Sequence, residues 1–394
     1  MTQTIRSTFL VILVVLMAIA AFAAGYVARD FLAERQVTGA GRDFALLDEA
    51  WGYVDASYLG ERPAQQLVTY GAIRGALNEL GDPYTVFVEP VAREHERDSL
   101  RGNYGGIGAN LTRNDQGELI LEPIPGNPAE AAGVERGDVL LAVDGREITT
   151  EMTVSEIAQL IRGEKDTTVV LTVRHPGSSE PVEIAIVRGD ILIPSVTYRL
   201  LDEAPAIGYI QLSRFSGESG QEIETAITAL QAAGAAELIL DLRHNGGGLL
   251  DAAIAVAGHF LDGGPVMVQK SRTEEERTYD ASQGAVAGQM PLVVLIDGET
   301  ASSSEILAGA LQDRGRALLV GNRTFGKGSV QLVYDLSDGS SVHVTSSRWY
   351  TPNRHEIDEH GLTPDIPVEV TQEAIDLGQD VALDAAVAYL NGND

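Results

Sequence analysis

The chain has 394 residues, no cysteine, 44% hydrophobic residues and a formal net charge of -29. That length and apolar content allow a buried core spread over two or three domains. The charge argues against nucleic acid as a partner, and the absence of cysteine excludes disulfides, zinc-thiolate sites and a cysteine nucleophile.

Between Arg6 and Arg29 run 22 uncharged residues, STFLVILVVLMAIAAFAAGYVA. They meet the roughly 20 residues that a membrane-spanning helix needs and are long for a signal-peptide core. AFA at 21–23 has the small-residue pattern of a cleavage site, so residues 1–30 are an anchor or a signal segment, and the anchor is the reading adopted. A lone N-terminal anchor leaves the rest of the chain outside the cytoplasm. The expected location is the cell envelope, held by the cytoplasmic membrane, or the exterior if the segment is removed.

Phe44, Leu47, Trp51, Val54 and Tyr58 recur at spacings of three and four, which predicts an amphipathic helix with a core-facing aromatic stripe. Tyr70, Ile73, Leu77 and Leu80 predict a second, stopped by GDP at 81–83. Residues 31–100 thus form a small helical module. From 101 to 190, YGGIGANL, GELILEPI, DVLLAVDG and TTVVLTVRH are short strands between Gly, Asn and Asp turns, interrupted by one helix, TVSEIAQLIRG. From 191 to 366 buried strands alternate with helices, the pattern of an α/β layer. An acidic amphipathic helix, DVALDAAVAYL, lies in the tail 367–394.

Two strand-to-helix loops in the α/β part can carry chemistry, because sites form at the C-terminal ends of such strands. In LILDLRHNGGGLL the glycines Gly246 to Gly248 make a tight turn or bring amides close to an oxyanion. In VVLIDGETASSSEILAGAL, Ser302 and Glu305 have the spacing of a capping box, and a nucleophile at a helix start would use the same free amides. GNRTFGKGS nearly spells a phosphate-binding loop. Gly328 stands where that motif needs Ser or Thr, and the following SVQLVYDL alternates like a strand, not a helix. Lys327, one of only three lysines, is then either a surface charge or a base made neutral by burial beside Phe325. A Ser-His-Asp arrangement has no GxSxG elbow; of seven histidines, His244 beside the glycines is the best placed. No histidine and carboxylate cluster has metal-site spacing along the chain.

Taken together, DLRHNGGG, TASSSEILAGALQD, GNRTFGKGSVQ and YTPNRHEIDEHGLTPDI resemble, in order, the motifs of the C-terminal processing peptidases, or tail-specific proteases. The resemblance covers nearly everything after the anchor. It implies an α/β protease core of the ClpP/crotonase type with an inserted β-rich PDZ domain at 101–190 and the N-terminal helical module. It also implies that Ser302 is the nucleophile, Lys327 the base 25 residues on, and Gln331 the group orienting the lysine amine. Strand alternation would put 327, 329 and 331 on one side. The oxyanion hole would use the amides of Gly248 and Ser302, and Asp313 is a secondary candidate.

The β-rich part resembles a PDZ domain, with Gly105, Gly106, Ile107 and Gly108 as the loop that holds a peptide's terminal carboxylate. Two departures stand out: Ser303 replaces a frequent Ala, and Asp166 replaces a usual Gly. The implied function is a serine endopeptidase that takes proteins with apolar C-terminal tails, without metal, nucleotide or organic cofactor. Its resting state is expected to keep Lys327 out of reach of Ser302. An adaptor protein and homo-oligomerisation stay open. The alternative is a non-catalytic, PDZ-bearing envelope adaptor with a degenerate peptidase fold.

Overall fold

The computed structural model describes residues 44–272 and 275–392. The anchor or signal segment at 1–30 lies outside them. Among the described residues no helix is long and apolar enough to cross a membrane.

The chain divides into two compact units, 1–69 and 70–394. In the first, the helix Ala45–Ser57 forms as its periodicity predicts, yet none of its residues is buried. Phe44 is 56% and Leu47 44% exposed, so the stripe predicted as core is not core.

The second unit begins with Tyr70, buried, its ring 4.8 Å from that of Phe87. Phe87 sits in the strand Val86–Val88, which pairs antiparallel with Ser341–Tyr350. Residues 70–88, assigned by sequence to the helical module, therefore supply a strand to a sheet built mostly from the C-terminal half. The helix Pro90–Arg101 follows, started by a proline in its first turn and stopped by Gly102 at φ 83°.

Strands Asn103–Gly106 and Gly189–Leu192 pair antiparallel and close off the β-rich part. Inside it Ala109–Arg113, Leu119–Pro123, Asp138–Val143, Thr168–Arg174 and Val182–Val187 make one antiparallel sheet, with Arg146–Glu147 beside it. Its own core includes Leu121, Val169, Leu171 and Ile157, the last from the helix Val154–Ile161. Thr153 and Glu156 form that helix's capping box. Asp166 stands at φ 64°, the left-handed conformation for which a glycine is suited.

The α/β part is a six-stranded sheet in the order Val196–Leu201, Ala204–Leu212, Glu237–Asp241, Leu292–Ile296, Leu318–Gly321, Ile366–Pro367. After the first, antiparallel pair every neighbour is parallel. The alternating side chains explain why both faces are covered. Leu238, Leu240, Val294 and Leu319 pack with the helices Ser219–Ala232, Leu250–Phe260 and Ser303–Asp313. Ile239, Val293, Leu295 and Val320 face the other way, onto the helix Val381–Leu390.

Candidate active site

Both loops singled out by sequence leave neighbouring parallel strands of this sheet. The strand Glu237–Asp241 ends in the glycine turn, and Leu292–Ile296 ends in the segment leading to Ser302. They are stitched together. Asn245, fully buried, accepts the Gly247 amide on Oδ1 at 2.9 Å and donates Nδ2 to the Leu212 carbonyl at 2.8 Å. Its carbonyl accepts from the Ala301 amide at 3.0 Å and the Ser304 hydroxyl at 2.8 Å. Ser303, the residue that departs from the usual Ala, donates its hydroxyl to the Gly248 carbonyl at 3.0 Å. Below the turn, Arg243 donates to Asp241 at 2.6 Å and, through both Nη atoms, to Asp380 at 2.7 and 2.8 Å.

Ser302 stands at φ 56°, ψ -117°, directly before the helix Ser303–Asp313. A side-chain-bearing residue rarely adopts a positive φ, and where surrounding structure imposes it the strain marks functional corners. Gly247 shows how tight this corner is. A Cβ there would lie 3.0 Å from Ser302 Cβ and 3.0 Å from the Ser303 nitrogen.

Glu305 makes the site. It is fully buried, and its carboxylate collects four donors. Oε1 accepts the Thr324 hydroxyl at 2.5 Å and the Gly326 amide at 2.8 Å. Oε2 accepts the amides of Ser302 and Lys327, each at 2.9 Å. The Ser302 and Lys327 backbone nitrogens are thus separated by at most twice that distance. Burial pushes the Glu305 carboxyl above its ordinary range, against four donors that favour the charge. The spacing of Ser302 and Glu305 is legible as a helix cap, but its reach to residues 324–327 is a tertiary contact that no local pattern announces.

The Ser302 amide is therefore already spent on Glu305, which corrects its assignment to the oxyanion hole. The amide that lies against Gly247 at the helix start is that of Ser303. Gly248, at φ 147°, bridges to Phe215, and a Cβ on it would meet the Phe215 carbonyl oxygen at 2.1 Å.

Lys327 is partly buried, and that burial lowers its pKa below the usual lysine value, opposed by the charges of Glu96 and Glu305. Phe325, expected to cover it, is 55% exposed. The apolar cover comes from Tyr84, whose ring centroid is 5.1 Å from Nζ. The flanking glycines make room for a neighbouring loop: a Cβ on Gly328 would lie 2.5 Å from the Asp358 nitrogen, and one on Gly326 2.9 Å from the Gly361 nitrogen. They admit the backbone of 358–361. No hydrogen bond joins Lys327 Nζ to Ser302 Oγ among the described residues.

The strand expected after Lys327 is present at Ser329–Asp335. It starts beyond the lysine, and its register slips between Val330 and Gln331, so simple alternation does not carry from 327 to 331. Gln331 Nε2 donates to Ser329 Oγ at 3.4 Å, not to the lysine. Asp313 lies at the far end of the helix Ser303–Asp313, where Oδ2 accepts the Asn353 amide at 2.8 Å and Oδ1 faces His355 at 3.1 Å. It is not brought to Ser302.

His244 is 73% exposed at its side chain, and Nδ1 is 2.7 Å from Glu299 and 3.2 Å from Asp297. The hydrogen bond to Glu299 raises its pKa, the wrong direction for a neutral base. This trio, and Glu135, Asp138 and His175, bring three ligand-type atoms within 4.8 Å of one another, which spacing along the chain did not reveal. Internal hydrogen bonds and ion pairs account for both groups.

In the β-rich part Gly105 passes so close to Gly163 that a Cβ would lie 2.0 Å from its carbonyl oxygen. Gly108 stands at φ 70° against Asn127, and Ile107 is buried in the local core. A groove of about 210 Å³ runs along this loop, between Ala109–Leu111 and the helix residues Val154, Ala158 and Ile161. Arg162 closes one end, stacked 4.3 Å over the Tyr104 ring and paired with Asp98 at 3.5 Å.

Residues 206–368 match Peptidase family S41, and residues 119–175 match the PDZ domain. A carboxyl-terminal-processing protease of Picosynechococcus is 38% identical over 341 residues, covering 81% of this chain and 82% of that protein. A carboxy-terminal processing protease of Bacillus subtilis is 32% identical, covering 92% of this chain and 76% of that protein. The solved photosystem II D1 C-terminal processing protease is 35% identical and covers 84% of this chain and 92% of its own, with a TM-score of 0.47.

Proposed function

This chain belongs to the S41 peptidases, among the carboxyl-terminal-processing serine proteases, and on that premise we propose that Ser302 and Lys327 are its nucleophile and general base. The observation that supports this most is the shared Glu305 oxygen, which holds the backbones of the two residues side by side across a tertiary contact. Attack by Ser302 Oγ on the scissile carbonyl forms an acyl-enzyme. Neutral Lys327 takes the hydroxyl proton and returns it to the leaving amine; water then releases the acyl group. The developing oxyanion is held by the amides of Gly248 and Ser303. Gln331 orients the lysine amine once the two side chains meet, and Asp313 acts only by anchoring the 353–355 loop.

Substrates are unfolded or extended proteins with apolar C-terminal tails. The tail lies in the groove between Ala109–Leu111 and the helix Val154–Ile161, its carboxylate on the Gly105–Gly108 loop. With Lys327 and Ser302 unpaired, the arrangement is a resting one, which tail binding converts to the active one. The uncharged run at 7–28 anchors the chain, with the catalytic part outside the cytoplasm. An experiment on intact cells distinguishes this: added protease degrades the catalytic part of an outward-facing chain and spares an inward-facing one.

The chemistry is tested by acid-quenching full-length protein, in detergent micelles, during turnover of an unfolded reporter that ends in three apolar residues. An ester adduct on the peptide containing Ser302 is the expected product in the mass spectrum. Cleavage with the adduct on another side chain contradicts the assignment. No cleavage and no adduct favours the adaptor reading.

A further inference from the structure

The groups closest to the Lys327 side chain do not all come from the peptidase region. Tyr84 lies in the GDPYT segment, ahead of both matched regions, and its ring faces the ammonium at 5.1 Å. The segment is built for a fixed ring. Asp82 accepts the Tyr84 amide at 3.0 Å and the Thr85 hydroxyl at 2.6 Å, and Thr85 in turn accepts the Thr345 amide at 3.1 Å. The next residues form the strand Val86–Val88, locked onto Ser341–Tyr350, which also pairs with the strand that follows Lys327. Ring and lysine are thus held by one sheet. The ammonium makes no hydrogen bond or ion pair among the described residues, so the ring face is its principal partner.

We propose that Tyr84 is a positioning residue for Lys327, its ring face being the seat on which the ammonium rests while Ser302 is unengaged. This rests on Lys327 being the base. An aromatic face attracts a cation through its quadrupole and has no such hold on a neutral amine. Losing the proton and leaving the seat are therefore coupled: the form of Lys327 that can act as base is the form the ring releases. The charged groups around the pair are Glu96 on the helix Pro90–Arg101, Glu305 on the nucleophile helix, Asp82 beside the ring, and Asp358 and Glu359 from the facing loop. Burial, with the charges of Asp358, Glu305, Asp82 and Glu359, raises the Tyr84 pKa above its ordinary value.

With only three lysines, Lys165, Lys270 and Lys327, the test is direct. Full-length protein carrying ε-¹³C-lysine is titrated by NMR in micelles, as wild type, Tyr84→Phe and Tyr84→Leu, with Lys327→Arg to assign the signal. Expected are ring-current-shifted ε-protons of Lys327 in wild type and Tyr84→Phe, and an unshifted signal in Tyr84→Leu. The Lys327 midpoint of Tyr84→Leu should fall by about 0.5 unit or more, and the acidic limb of kcat/KM should move with it. Tyr84→Phe should keep both at the wild-type position, which a role for the hydroxyl would not produce. Loss of mere packing cover would raise the midpoint of Tyr84→Leu instead of lowering it. Unshifted ε-protons in wild type, or equal midpoints in wild type and Tyr84→Leu, overturn the proposal. Whether Lys327 serves as base is decided separately by cleavage with Lys327→Ala, so the two failures are distinguishable.

Discussion

At the scale of single residues, Glu305 shows how one buried group can govern two others. Each of its oxygens accepts two donors, so the site tolerates neither loss nor inversion of one acceptor. Glu305→Gln keeps the shape but must turn an NH₂ toward two donors, whichever way the amide lies. We expect it to cost about 1–3 kcal/mol of stability in a urea titration and to lower kcat about 10²-fold. Near-wild-type cleavage by a folded Glu305→Gln would show that the clamp is not needed. Ser302 and Lys327 were singled out by the resemblance of the motifs around them, and the structure brings their backbone amides to one Glu305 oxygen. Glu305 was legible only as a cap, since its second job spans the gap between two loops. The glycine that lies against Ser302 is Gly247, the Gly248 carbonyl accepts the Ser303 hydroxyl, and the Ser302 amide is engaged by Glu305.

At the scale of elements, local pattern read the sheet well. The period-2 strands Glu237–Asp241 and Leu292–Ile296 send alternate residues into two separate cores, and their runs of buried aliphatics announced it. The slip between Val330 and Gln331 was invisible, because a bulge depends on the partner strand and leaves the apolar pattern intact. Likewise the close approach of residues 358–361 to Gly326 and Gly328 is a tertiary contact that no local pattern announces. Gly328→Ala would drive a Cβ to 2.5 Å from the Asp358 nitrogen and displace the lysine loop. Cleavage should fall about tenfold or more, given what an ångström of misplacement costs a catalytic group. Gly75→Ala is the contrast: it lies inside the helix Gln65–Asn78 with nothing within 4 Å of the new Cβ. It should raise stability by about 0.5–1 kcal/mol and leave cleavage alone. A Gly328→Ala enzyme as active as Gly75→Ala would mean the loop has slack.

At the scale of the whole molecule, the segment 70–100 is where sequence reading fell furthest short. It was taken as part of a helical module, yet it supplies a strand to the sheet of Ser341–Tyr350 and both Tyr84 and Glu96 to the surroundings of Lys327. Nothing in its composition distinguishes such a segment from a peripheral one, because its strand partner and Lys327 lie more than 200 residues away. The β-rich part, by contrast, is self-contained and was visible in its turns. Its groove gives a prediction of its own: Ala158→Arg, filling the space beside Ile107, should cut cleavage of a reporter ending in apolar residues about tenfold at low substrate. Unchanged cleavage would move tail recognition elsewhere. The most direct test of the chemistry is cleavage of that reporter by full-length wild type, Ser302→Ala and Lys327→Ala, with folding followed by circular dichroism. Wild type should cut, and both folded variants should lose at least about 10³-fold in kcat/KM. Retained cleavage by Lys327→Ala would contradict the assignment of the base and turn attention to His244.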